Sequence, residues 1–105
     1  MTLGWKRVLV LAPHTDDGEL GCGGTMARLV EEGAEVRYVA FSIAVKSLPP
    51  GFPPDTLARE VREATRELGI PEASLTVHDF EVRTFPERRQ DILELLIELW
   101  EEWRP

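Results

Sequence analysis

Apolar and polar positions fall into blocks along the chain, and the period changes from block to block. Arg7-Val8-Leu9-Val10-Leu11-Ala12 is a short, nearly continuous apolar run, which predicts a strand buried on both faces. Glu35 to Phe41 predicts a second strand and Ser74 to His78 a short third. Between them the period lengthens. Met26, Leu29 and Val30 share one helical face, capped by Thr25 and ending near Gly33, after a glycine-rich turn from Gly18 to Gly24. Leu57, Val61, Ala64 and Leu68 predict a second helix that starts at Asp55 or Thr56 and is stopped by Gly69-Ile70-Pro71. Lys46 to Pro54 holds Pro49, Pro50, Pro53, Pro54 and Gly51 and reads as a loop, as does Asp79 to Phe85. A last helix begins near Pro86. Its stripe is Ile92, Leu95, Leu96, Leu99, Trp100 and Trp103, with Glu94, Glu98, Glu101 and Glu102 mostly opposite, so both tryptophans are expected in the core.

The order β-α-β-α-β-α predicts an α/β fold, Rossmann-like and three-layered, with a parallel sheet in strand order 3-2-1. Residues 1–105 read as one domain of this type. In a doubly wound sheet the carboxyl end of the first strand is where ligands bind. Here that end is Pro13-His14-Thr15-Asp16-Asp17, the most polar cluster in the chain. The same strand order leaves Val8 to Leu11 as an apolar edge, and such edges pair with other chains. A homo-oligomer, or a complementary chain covering that edge, is therefore expected.

Composition narrows the function classes. With 105 residues, 43% hydrophobic and 30% charged, the chain reads as globular. Its net charge of −7 disfavours nucleic acid and anionic membrane surfaces, both polyanions. No apolar run approaches the ~20 residues of a bilayer span, and Met1 to Arg7 lacks a signal-peptide pattern, so a cytoplasmic location is expected. The single cysteine, Cys22, excludes an intrachain disulfide and reads as a small buried residue.

His14, Asp16, Asp17 and Glu19 lie within six residues, directly after the most apolar strand. Clustered carboxylates repel one another, and a divalent cation offsets the repulsion. His14 and Asp17, three apart, supply a nitrogen and an oxygen donor that one turn can bring together. Imidazole plus carboxylate without thiolate suits zinc or another first-row metal. Asp16 projects differently from Asp17 and can act as general base towards a water that the cation activates. The plainer alternative is a solvated acidic loop with His14 as a strand-end hydrogen-bonder. Gly21-Cys22-Gly23-Gly24-Thr25 can bring backbone N–H groups to an anion or pack a helix on the sheet; it matches neither the dinucleotide nor the P-loop spacing. His78 ends the third strand on the same side as His14 and is a conceivable extra ligand. Arg83, Arg88 and Arg89 could meet an anionic substrate or simply line a solvated helix start.

Residues Pro13 to Thr25, PHTDDGELGCGGT, resemble the P-H-P-D-D-x-E-x-G-x-G-G-T signature of the LmbE-like, or PIG-L-type, de-N-acetylase family. Glu60, Ala64, Leu68 and Gly69 resemble the family's E-x-x-x-A-x-x-x-L-G helix. The resemblance implies a Rossmann-like fold and a zinc-dependent hydrolase that removes the acetyl group from an N-acetylglucosamine conjugate. It implies His14 and Asp17 as metal ligands and Asp16 as general base. The chain departs from the pattern at Thr15, usually proline, at Leu57, often arginine, and after the second strand, where no T-x-G-E segment stands. The family's third ligand comes from a later H-x-x-H, which this sequence does not contain, so the chain reads as the amino-terminal portion of a family domain. A second reading follows: an inactive or split-enzyme module that binds a partner chain, or a small anionic ligand at the Gly21–Thr25 turn.

Overall fold

A computed structural model describes residues 2–105. Three strands, β1 (Arg7–His14), β2 (Glu35–Ser42) and β3 (Leu75–Val77), alternate with three helices, α1 (Asp17–Glu31), α2 (Thr56–Glu67) and α3 (Arg89–Trp103). Short 3₁₀ turns stand at Val45–Ser47, Glu72–Ser74 and Phe85–Arg88. The strands are parallel and ordered β1-β2-β3, as the block pattern predicts. The register sets Val10 against Tyr38, His14 against Ser42, and Ala40 against Val77.

Alternation along the strands divides the sheet into two faces. Val10, Ala12, Val36, Tyr38 and Ala40 meet Met26 and Leu29 of α1, Val61 of α2, and Ile70 in one core cluster. On α2 the buried positions are Thr56, Ala58, Val61 and Thr65, a face turned slightly from the predicted one; Thr65 Oγ1 donates to the Val61 carbonyl at 2.9 Å, which removes the cost of burying its hydroxyl. The other face carries Val39 and Phe41, both buried. There the end of α3 docks: Trp103 Nε1 donates to Glu35 Oε1 at 3.2 Å, the Arg37 guanidinium lies 4.5 Å from the Trp103 ring, and Arg7 Nη2 donates to the Arg104 carbonyl at 2.7 Å. Trp103 is core, as expected. Trp100 is not: it is 52% exposed, because Leu93, Ile97 and Trp100 form a stripe of α3 that turns away from the sheet.

One predicted element changes. The glycine-rich stretch Gly18–Gly24 is not a turn but the first half of α1, which starts at Asp17 and breaks locally at Cys22 (φ −147°, ψ 29°). Glycine weakens a helix without forbidding it, and Asp17 and Glu19 in the first turn complement the positive end of the helix dipole. Thr25 is therefore interior to α1 and not its cap. No helix among the described residues is long and apolar enough to cross a membrane.

Candidate functional site

β1 runs two residues past its apolar run, so His14 stands at the carboxyl end of the sheet beside Ser42. Thr15 and Asp16 turn the chain, and α1 begins at Asp17. This tight return folds Asp17 back on His14. Its Oδ2 accepts the His14 backbone N–H at 2.9 Å and lies 3.1 Å from His14 Nδ1. Both side chains stay accessible, at 41% and 40% of their surface. Two donors bonded at ~2.0–2.2 Å to one tetrahedral ion lie roughly 3.3–3.6 Å apart. The observed pair thus fits one edge of such a site after a small adjustment. Among the described residues no third His, Cys, Asp or Glu joins it.

The cluster seen in the sequence divides into separate roles. Asp16 is exposed and stands on the wall shared by two clefts. One, of about 340 Å³, is lined by His14, Thr15, Asp16, Ala44, Ser47 and Leu57. The other, of about 630 Å³, runs from Asp16 and Glu19 along α2 past Leu57 and Glu60. Leu57 lines both, so the position at which the signature departs from arginine faces the site. Ala44 closes the smaller cleft in the left-handed region (φ 53°), held by a hydrogen bond from its N–H to Ser42 Oγ at 3.0 Å. Strained backbone of this kind persists where surrounding contacts fix it.

Glu19 turns inward instead, to accept a short hydrogen bond from the Tyr38 hydroxyl. That hydroxyl accepts the Gly18 N–H at 3.1 Å and lies 3.5 Å from the Thr15 carbonyl. Tyr38 is fully buried, so one phenol on β2 locks the start of α1 to the sheet. Burial pushes its pKa well up; the hydrogen bond to Glu19 and the charge of Glu19 add to the rise, against a smaller opposing effect of the Gly18 N–H. The unfolded chain therefore releases this proton near pH 10, while the folded chain keeps it. Folding stability falls as pH rises above 10, by up to ~1.4 kcal/mol per pH unit. Because Tyr38 is the only tyrosine, tyrosinate absorbance reports it alone. Thermal melts between pH 9 and 11 should show the decline, and Tyr38→Phe should flatten it.

An aromatic wall closes the other side. Phe85 stacks on His14 with ring centres 6.0 Å apart and planes 26° from parallel. Phe80 meets Phe85 edge-on at 6.3 Å, and His78, Phe80 and Phe41 pack in a triangle with ring centres 6.2–6.4 Å apart. His78 is thus part of the wall and not brought to the His14–Asp17 pair. Its Nε2 is buried without a partner among the described residues, and burial lowers its pKa. Arg88 is engaged by Asp91 at 2.7 Å and lies over Phe80; Arg83 is exposed with φ 67°, and Arg89 opens α3. Cys22 is half-buried against the core, and the Gly21–Thr25 stretch lies within α1.

Sequence reasoning missed Tyr38 and Phe85. The chain's single tyrosine, set in a β-rich run, was the available signal for the first, since a buried phenol needs a partner. Nothing local marks Phe85, which reaches His14 only through the path of the loop after β3.

The chain matches the family described as PIG-L: GlcNAc-PI de-N-acetylase over residues 9–105. Two solved structures share its fold. The conserved protein TT1542 from Thermus thermophilus is 35% identical, with a TM-score of 0.70, and the match covers 88% of this chain and 41% of that one. The N,N'-diacetylchitobiose deacetylase from Pyrococcus horikoshii, solved with an inhibitor, is 26% identical with a TM-score of 0.70, over 89% of this chain and 37% of that one. The chain thus spans about two fifths of their lengths. None of the curated proteins compared with the chain matches it.

Proposed function

Since this chain belongs to the PIG-L family of de-N-acetylases, we propose that residues 1–105 form the amino-terminal portion of a single deacetylase domain acting on an N-acetylglucosamine-type conjugate. The observation that carries the reading is the convergence of His14 Nδ1 and Asp17 Oδ2 on one point at the carboxyl end of β1, with Asp16 beside them on the wall of two clefts. His14 and Asp17 would hold a zinc ion. When bound, zinc acidifies a coordinated water and polarises a carbonyl oxygen. The rest falls to the chain's own groups. Asp16, exposed and not engaged by His14, takes the proton of the attacking water as general base. Phe85 stacks against one face of the His14 ring, while the contact to Asp17 Oδ2 sets the position of Nδ1. Tyr38 and Glu19 fix the turn that carries Asp16 and Asp17. Leu57 gives the clefts an apolar wall where the signature often has arginine, so the acetamido sugar is held by other contacts.

Zinc uptake tests this reading. Equilibrium dialysis against zinc, followed by metal analysis, should give one zinc per chain, and His14→Ala should abolish it. A chain that takes up no zinc, or a His14→Ala variant that takes up as much, overturns the proposal. The split-enzyme alternative gains from one observation: only two donors converge at the site among the described residues.

A further inference from the structure

We infer that Phe85 is a positioning residue: the turn after β3 is built to hold its ring against His14, so that the imidazole is fixed in plane as well as at Nδ1. Phe85 acts here through a residue read above as a metal ligand, so its effect on zinc rests on that reading; its effect on the His14 ring does not.

The His14 side chain is 41% accessible, and the 3.1 Å contact between Nδ1 and Asp17 Oδ2 holds one atom of its ring. A ring held at one atom can still swing about that contact, and an accessible side chain exchanges between rotamers. Phe85 removes the swing on one face, with ring centres 6.0 Å apart and planes 26° from parallel, within the usual range of aromatic pairs.

The backbone around Phe85 is arranged for this contact. Val82 is buried and anchors the turn. Arg83 then takes φ 67°, in the left-handed region that a residue with a Cβ disfavours. Thr84 closes the turn twice, its N–H and Oγ1 donating to the Glu81 carbonyl at 3.3 and 2.7 Å. The Thr84 carbonyl in turn accepts the N–H groups of Glu87 and Arg88 at 3.1 and 3.2 Å. Phe85 therefore sits between two hydrogen-bonded turns. Behind it, Phe80 meets it edge-on, the Arg88 guanidinium lies 5.3 Å from the Phe80 ring, and Asp91 holds Arg88 at 2.7 Å. Left-handed backbone at a residue other than glycine persists where surrounding contacts over-determine it. Ordinary packing does not account for the arrangement. Phe41, His78 and Phe80 already form a closed triangle of rings. Phe85 touches only Phe80 of that triangle among the described residues and presents its face to His14.

The test compares Phe85→Leu, which keeps apolar bulk without the stack, with Phe85→Tyr, which keeps the ring. In the metal-free chain, NMR relaxation of the His14 ring should show a rigid imidazole in wild type and Phe85→Tyr and a mobile one in Phe85→Leu. Competition with a chromophoric zinc chelator should show zinc held on the order of 10- to 100-fold more weakly by Phe85→Leu and about as in wild type by Phe85→Tyr, the span usual for loss of a group that orients a ligand. His14 equally mobile, or equally rigid, in wild type and Phe85→Leu overturns the inference. So does a Phe85→Tyr variant as loose as Phe85→Leu, and so does Phe85→Leu that unfolds at lower urea while zinc affinity and the His14 ring are unchanged, since Phe85 is then a packing residue. A wild-type chain that takes up no zinc, with His14 loosened only by Phe85→Leu, upholds the positioning and overturns the metal reading alone.

Discussion

Gly18→Ala should destabilise the chain by about 3 kcal/mol and disorganise the site, although it adds one methyl to a helix. A Cβ at Gly18 would fall 2.6 Å from Tyr38 Cζ and 2.7 Å from its hydroxyl oxygen, and nearer still to Cε2. The ring cannot yield, because Tyr38 is fully buried and its hydroxyl is held by Gly18 and Glu19. Relief requires α1 to lift from β2, which breaks both hydrogen bonds and leaves the Glu19 carboxylate without its donor. Gly24 offers the contrast. A Cβ there meets nothing within 4 Å, so Gly24→Ala should gain roughly 0.5–1 kcal/mol from helix propensity. Urea titrations of the two variants should move in opposite directions. Equal shifts would mean that Tyr38 does not pack against Gly18 as described.

The two glycines show where the sequence was legible. Strand number, direction and order followed from the apolar runs and their spacing, but β1 is not buried on both faces as its run predicts: Val10 and Ala12 are buried, whereas Leu11 on the opposite face is 46% exposed. His14, Asp16 and Asp17 fall within four residues at the end of β1, and the structure brings His14 Nδ1 and Asp17 Oδ2 to 3.1 Å there. The helical state of Gly18–Gly24 was not legible. Glycine content argues for a turn, and what overrides it is a tertiary contact, the Tyr38 phenol twenty residues away that fits only against a residue without a side chain. The same holds for Phe85, brought to His14 by the course of a loop, and for Trp100. Its helical period matches that of Trp103, but it falls on the stripe of α3 that turns away from the sheet.

Asp16→Asn should separate catalysis from metal binding. If Asp16 is the general base, the amide should retain the turn and leave His14 and Asp17 untouched, because the Asp16 side chain caps no backbone N–H of α1 and the Asp17 carboxylate makes both contacts to His14. Zinc uptake should therefore be unchanged. Deacetylation, read as acetate released from an N-acetylglucosamine conjugate, should fall on the order of 10³-fold, within the span usual for loss of a general base. The loss should lie in kcat, since the carboxylate matters when the proton moves and less when the substrate binds. Asp17→Asn should behave differently. It weakens the donor that shares an edge with His14 Nδ1, so zinc and activity should fall together. Parallel loss of both in the Asp16 variant would make Asp16 a metal ligand and leave the general base to be found elsewhere. Full activity in Asp16→Asn would remove it from the reaction and point to Glu19, Glu60, Glu63 or Glu67, the other acids on the larger cleft.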